Sequence, residues 1–197
     1  MLCIKAATPS DVPALSELIP LSARALSRGY YSEPLIESAI LHVFGPDSRL
    51  IADGTYFAAF DGEALVGCGG WSRRRTLYGG DQMKAAAGRG NGRREDDPLL
   101  DPATEPARIR AFFVHPDHAR RGVGSLILRS CLDAARQAGF RRITLASTLP
   151  GVALYRAFGF EERERFEIPL PDGLSLPVIL MERDVDSPPL PAGEGRG

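Results

Sequence analysis

Apolar residues recur along this chain with two different periods, and the changes between them mark out its elements. Residues 3–6 have the length and composition of a short strand. Thr8-Pro9-Ser10-Asp11 then reads as a helix start, with Thr8 as N-cap, Pro9 in the first helical position and an acid in the first turn. Val12, Leu15, Leu18 and Ile19 follow at helical spacing and give that helix its buried face. A second helical period, through Leu35, Ile36, Ala39, Ile40 and Val43, covers 34–44. Residues 55–60 and 64–71 flank Asp61-Gly62 and predict an antiparallel hairpin. Its second strand contains Gly67, Gly69 and Gly70, which are costly in a strand and point to a bulge or to close approach of another element.

The second half of the chain is organised around residues 108–128. The apolar run 109–114 predicts a strand buried on most of both faces, broken by His115-Pro116-Asp117. From Val123 to Ala138 the period is helical, through Val123, Ile127, Leu128, Cys131 and Ala135, and Gly139 closes the helix. Residues 141–147 form the next strand, so the pair is parallel with a right-handed crossover. Pro150 opens a short helix over 152–158, ended by Gly159. Residues 160–168 and 174–183 predict a final antiparallel pair turned at Pro171-Asp172-Gly173. The expected domain runs from 1 to 185, with an irregular insertion at about 73–107. Within that insertion, Gly79-Gly80-Asp81-Gln82 suit an ordered site and 88–97 a flexible stretch. A disordered Pro/Gly tail is expected from 186.

Composition narrows the function classes. With 197 residues and 44% hydrophobic content, one domain with a real core is expected. The formal net charge of −1 and the scattered basic residues argue against nucleic acid or an anionic membrane as partner; Arg73-Arg74-Arg75 reads as a solvated strand end or substrate-loop face. No apolar run reaches membrane-spanning length, and Met1–Lys5 lead into a strand rather than a signal peptide, so a cytoplasmic location is expected. Cys3, Cys68 and Cys131 are far apart within apolar patterns, which suits reduced, buried thiols and no metal site.

The candidate chemistry lies at the junction of the 109–114 strand and the following helix. The first turn of a helix has unpartnered N–H groups and a partial positive charge, which together bind anions such as phosphate. Gly122 and Gly124 let a ligand approach the main chain, and Arg120 and Arg121 add positive charge. A P-loop and a dinucleotide fingerprint are both excluded by the missing residues around Gly122-Val123-Gly124.

Phe112-Phe113-Val114-His115-Pro116 followed by Ala119-Arg120-Arg121-Gly122-Val123-Gly124 resembles the acyl-CoA-binding motif of the GNAT superfamily of N-acetyltransferases, with Ala119 where the pattern prefers Gln or Arg. Leu154-Tyr155-Arg156-Ala157-Phe158-Gly159-Phe160 resembles that family's second recurring segment, at the family's position one strand later. The resemblance implies a mixed, mostly antiparallel α/β sheet with a central splayed parallel pair, flanked by helices. It implies acetyl-CoA as co-substrate and an amine as acceptor. The pyrophosphate would lie on the main chain of Arg121, Gly122, Val123, Gly124 and Ser125, with Arg120 and Arg121 assisting, and pantetheine on the edge formed by Phe112, Phe113 and Val114. Tyr155 would protonate the leaving sulfur, and the Val114 N–H would serve the thioester oxygen. The strand position where many members carry a glutamate base holds Arg108-Ile109-Arg110-Ala111, which leaves water, Asp81, Glu105 or His115 for that task. The same gap keeps open a non-catalytic acyl-CoA sensor or partner-binding module. Tyr30 and Tyr31 either line a substrate pocket or cover the core; with Trp71 and the 73–108 connection they are the candidate acceptor-binding parts. A homodimer through the last antiparallel pair is left open, as is the identity of the amine.

Overall fold

Strand β1 (Leu2–Ala6) pairs antiparallel with β2 (Tyr56–Asp61), and β2 with β3 (Ala64–Ser72), in a computed structural model that describes residues 1–86 and 97–186. β3 pairs antiparallel with β4 (Ala107–Val114), which runs parallel to β5 (Arg142–Thr148). The long final strands β6 (Glu161–Pro169) and β7 (Ser175–Asp184) complete a seven-stranded sheet of order β1-β2-β3-β4-β5-β7-β6. Of its six junctions β4–β5 alone is parallel, so the sheet is mixed and mostly antiparallel, as the resemblance implies.

Helices cover both faces. Thr8 and Asp11 form a reciprocal capping box over a short 3-10 turn, and α1 (Val12–Leu26) follows. α1 buries Leu15, Leu18 and Ile19 against Ala58 and Cys68, while α5 (Val123–Gln137) buries Val123, Ile127, Leu128 and Cys131 on the other face, against Ala59 and Val66. The adjacent residues Ala58 and Ala59 go to opposite layers because strand side chains alternate. The remaining helices are short: α2 (Glu33–His42), α3 (Ser48–Ala52), α4 (Asp81–Ala86) and α6 (Val152–Ala157).

The strand glycines have a packing cause. A Cβ on Gly67 would stand 2.6 Å from Val123 Cγ1, and one on Gly69 2.3 Å from Phe112 Cδ2, so α5 and the Phe112 ring lie directly on the β3 backbone. The β3–β4 register also shifts between Cys68 and Gly70, which is the bulge the glycines suggest.

Several expectations are corrected. α3 and α4 have no strong apolar period and were not expected; α3 forms because the Asp47 carboxylate accepts the N–H groups of Arg49 and Leu50 as its N-cap. Within the 73–107 insertion, Gly79 and Gly80 lead into α4 at the stretch that the sequence suits to an ordered site, and Arg74 pairs with Asp53 at 2.7 Å. Cys3 is exposed on the edge strand β1, whereas Cys68 and Cys131 are buried, where desolvation pushes the Cys68 thiol up to about 12. β4 is buried only in its first half; from Ala111 onward it is partly open, because β5 diverges from it. The stretch 88–96 and the tail from 187 lie outside the described residues.

Candidate active site

The ladder between β4 and β5 extends over three pairs, Ala107 with Ile143, Arg108 with Thr144 and Ile109 with Leu145, and stops there. Two residues further on, Ala111 has φ +56°, a left-handed conformation that an alanine adopts only when its surroundings impose it. The buried Tyr56 hydroxyl imposes it in part, by donating to the Ala111 carbonyl at 3.0 Å. The kink carries the second half of β4 away from β5, and a cavity of about 720 Å³ occupies the resulting gap.

At one end of this cavity is the glycine loop. Gly122 caps α5 with φ +87°, and Arg120 before it has φ +62°. Among the described residues, Ala111 and Arg120 are the two non-glycine positions with positive φ, and both border the cavity. A Cβ on Gly122 would meet nothing within 4 Å, so glycine is required there by the backbone and the space beside it is open. Gly124 differs: its Cβ would stand 3.1 Å from Leu154 Cδ2, so this glycine also lets α5 pack against α6. The first-turn N–H groups of α5 are free of intrahelical partners by construction and open into this space.

Tyr155 on α6 also lines the cavity, 7% exposed, with its ring edge-on to Phe112 and Phe160. Burial raises its phenol well above the ordinary value, so it holds its proton across the neutral range. Val114 N–H does not point at β3. His115 N–H already bonds the Val66 carbonyl, so by alternation the Val114 N–H faces the gap, where it donates to Ser22 Oγ on α1 at 3.1 Å.

Of the expected site residues, the cavity brings together Phe112, Phe113, Val114, Arg120, Gly122, Gly124, Ser125, Tyr155 and Tyr30. Val123 points into the core and Arg121 is turned toward the Asp117 carbonyl. Tyr31 does not line the cavity. Its hydroxyl donates to the Pro177 carbonyl at 2.7 Å and accepts Leu149 N–H at 2.8 Å, which ties the α1–α2 connection to the end of β5 and to β7. Trp71 is buried against Phe140 on the α5 side, away from the cavity, because strand alternation places it with Ile109 rather than with Arg110.

None of the expected bases lines the cavity. Asp81 holds Ser48, Glu105 pairs with Arg75 at 3.2 Å, and His115 Nδ1 accepts Asp117 N–H at the turn. Sequence reasoning missed Ser22 and Arg110 in the wall and reached Tyr78 only as part of the 73–108 connection. Arg110 is 5% exposed, with Nε on Asp47 at 2.8 Å and Nη1 on the Thr76 carbonyl at 2.6 Å. For Ser22 a signal existed: it falls on the same helical stripe as Leu15, Leu18 and Ile19, a polar residue in a buried row.

Comparison with known proteins agrees with this geometry. Residues 23–160 match the Acetyltransferase (GNAT) family, and the chain belongs to that family. A curated relative, described as an uncharacterized N-acetyltransferase, YsnE, from Bacillus subtilis (strain 168), is 24% identical over 131 residues, 64% of this chain and 68% of the relative. Among solved structures, a GCN5-related N-acetyltransferase from Rhodopseudomonas palustris superposes with a TM-score of 0.65 at 17% identity, covering 92% of this chain and 94% of its own. YncA from Salmonella typhimurium, solved with its cofactor acetyl-CoA, gives 0.59 at 15% identity, covering 97% and 98%. These structural likenesses establish the fold: a GNAT sheet flanked by helices and opened at its parallel pair. Among the described residues no helix is long and apolar enough to cross a membrane.

Proposed function

We propose that this protein transfers the acetyl group of acetyl-CoA to a primary amine, by direct attack of the amine on the thioester. The observation that carries this reading is the continuity of one cavity from the capping glycine of α5, through the β4–β5 gap, to Tyr155. The residues present suit the co-substrate. The α5 first turn offers backbone donors for pyrophosphate beside open space at Gly122, and Arg120 adds a cation. The free edge of β4 at Phe112, Phe113 and Val114 offers main-chain groups to the pantetheine amides, in the place a β5 ladder would otherwise take.

The acceptor amine must arrive neutral, and water takes its proton in this reading. As nitrogen bonds to the carbonyl carbon, charge develops on the thioester oxygen, and a main-chain N–H at the end of β4 stabilises it. When the C–S bond breaks, Tyr155 gives its phenolic proton to the departing sulfur and is reprotonated from solvent. The products are one amide and one free thiol. The acceptor side of the cavity is walled by Tyr30, Tyr78, Leu77 and the β7 residues Leu176 and Val178, a largely apolar surface. The absence of a carboxylate or imidazole from the lining, among the described residues, favours one rival: an acyl-CoA-binding module that has no acceptor chemistry.

The test is acetyl-CoA binding by calorimetry on the wild type and on Gly122→Val, followed by thiol release with a panel of amines. The valine cannot adopt φ +87° without strain and is expected to weaken binding about tenfold or more. Amine-dependent thiol release supports the transferase. Tight binding with no turnover on any amine class supports the sensor, and no binding by folded wild type overturns both.

A further inference from the structure

Beyond the two helix layers lies a third apolar cluster. It joins the end of α2 to β6 and β7 through the buried Val43, Ile168, Leu176 and Val178, with Tyr78 packed against it. All five residues also line the cavity. Tyr30 lines it as well and is 55% exposed, so an aromatic ring stands at the rim. α2, β6, β7 and the segment before α4 take no part in the acetyl-CoA path along α5 and β4, which leaves this wall to the acceptor.

The charges around the cavity decide what the wall can hold. Among the described residues, the charged and titratable groups that line it are Arg110, Arg120, Tyr30, Tyr78 and Tyr155. Asp47 and Asp81 lie close in sequence to lining residues but are engaged elsewhere. Asp47 accepts Arg110 Nε and the N–H groups of Arg49 and Leu50, and Asp81 accepts the N–H and hydroxyl of Ser48. An ammonium carried against this wall leaves water without gaining an anion, which is costly. Arg110 gives an anion little in turn. Its Nε and Nη1 are spent on Asp47 and the Thr76 carbonyl, and its Nη2, though without a partner, is sealed from solvent and so from the open cavity. A hydrocarbon or aromatic body instead gains free energy by leaving water here. The same surroundings favour the neutral form of the one amine that reacts.

We propose that the acceptor is a primary monoamine with an apolar body, which lies against Leu176, Val178 and Tyr78 and is covered at the rim by the Tyr30 ring. This rests on the acetyl-transfer reading and names its acceptor class. Acceptors with a second cation, such as polyamines and lysine-rich peptides, are disfavoured by the desolvation of the charge that does not react.

The experiment uses the whole chain with acetyl-CoA and three acceptors that share one hydrocarbon body: hexylamine, hexamethylenediamine and ε-aminocaproate. They end in a methyl group, an ammonium and a carboxylate. Thiol release is expected to give hexylamine a kcat/KM about a hundredfold above either charged analogue. Calorimetry on the protein saturated with CoA reads the same preference without turnover: N-hexylacetamide is expected to bind about tenfold or more tighter than N-acetylhexamethylenediamine. Leu77→Glu places a carboxylate beside Tyr78, and Tyr30→Glu places one at the exposed rim, where the fold does not depend on the side chain. Each is expected to shift the preference about tenfold or more toward the diamine. The proposal is overturned if wild type acetylates the diamine or the aminocaproate as well as hexylamine, the latter by showing that Arg110 opens to a carboxylate. An unchanged preference in both carboxylate variants also overturns it, since the acceptor body then lies elsewhere. If acetyl-CoA binds and no amine releases thiol, the acetyl-transfer reading fails and takes the acceptor class with it.

Discussion

The two halves of β4 differ in what meets their main-chain groups. In the first half Arg108 and Ile109 have partners on both edges, Ala107 pairs with β5 and Arg110 with β3, and Ala107, Ile109 and Arg110 are buried. From Ala111 to Val114 it keeps β3 on one edge and loses β5 on the other. In the first half, main-chain groups are met by main-chain groups. In the second, what meets them comes from distant side chains: the Tyr56 hydroxyl on the Ala111 carbonyl and Ser22 on the Val114 N–H. A backbone left without its ladder costs free energy unless something replaces the lost bonds. The gap is thus a supported structure, and the supports on the β5 side are of the same kind: Tyr31 holds Leu149 N–H and the Pro177 carbonyl.

The contrast can be broken most strongly at the closed half. Arg110 is ion-paired there with Asp47, whose carboxylate also caps α3, and both side chains are almost completely buried. Asp47→Asn keeps the shape and removes the charge, leaving the guanidinium buried beside a neutral amide. A loss of about 3–5 kcal/mol is expected in urea unfolding. A loss below about 1 kcal/mol would show that Arg110 relaxes to water and that the closed half is less rigid than its burial implies.

The open half is sharpened by a change that leaves stability nearly alone. Tyr155→Phe keeps the ring that packs on Phe112 and Phe160 and removes only the phenolic proton. Turnover is expected to drop about a hundredfold with CoA affinity unchanged by calorimetry. An unaffected kcat would assign the thiol proton to solvent and leave Tyr155 as a packing residue. Because burial raises this phenol, the wild-type rate should show no fall from its ionisation near its ordinary value.

The smallest expected effect is at the support on the β5 side. Burial pushes the Tyr31 phenol up to about 12, from an ordinary value of 10.0. The folded state therefore holds a proton that the unfolded chain releases first. Stability from this group is complete below pH 10 and is lost as pH rises toward 12, because in that window the unfolded state binds fewer protons. Tyr31→Phe should flatten the alkaline limb of the stability curve while lowering the plateau through the two lost hydrogen bonds. An unchanged alkaline limb would mean that the loop opens before the phenol titrates.

How much of this was legible beforehand depends on the range of the interaction. The capping box at Thr8 and Asp11, the Asp61-Gly62 hairpin, the capping glycines at 122, 139 and 159 and the helical stripe of α5 are set by neighbours within about four residues, and the sequence displays them directly. The glycine loop belongs to this group, because its donors are backbone atoms of one helix turn. Trp71 and Tyr31 belong to the other. Both are large aromatic residues near the site in sequence, and strand alternation sends Trp71 to the far layer, while the Tyr31 hydroxyl finds main-chain partners 118 and 146 residues away. α3 depends on a single aspartate that also answers Arg110 across 63 residues.

What the sequence by itself determined is therefore most of the parts list: every element but α3 and α4, their order, the anion-binding turn and the GNAT resemblance that two local motifs carry. Only the tertiary structure decided where β4 leaves β5, which side chains hold the gap open, and which face the cavity. Those outcomes rest on unpaired backbone groups meeting donors and acceptors far away in the chain, and no local period records which distant residue will answer them.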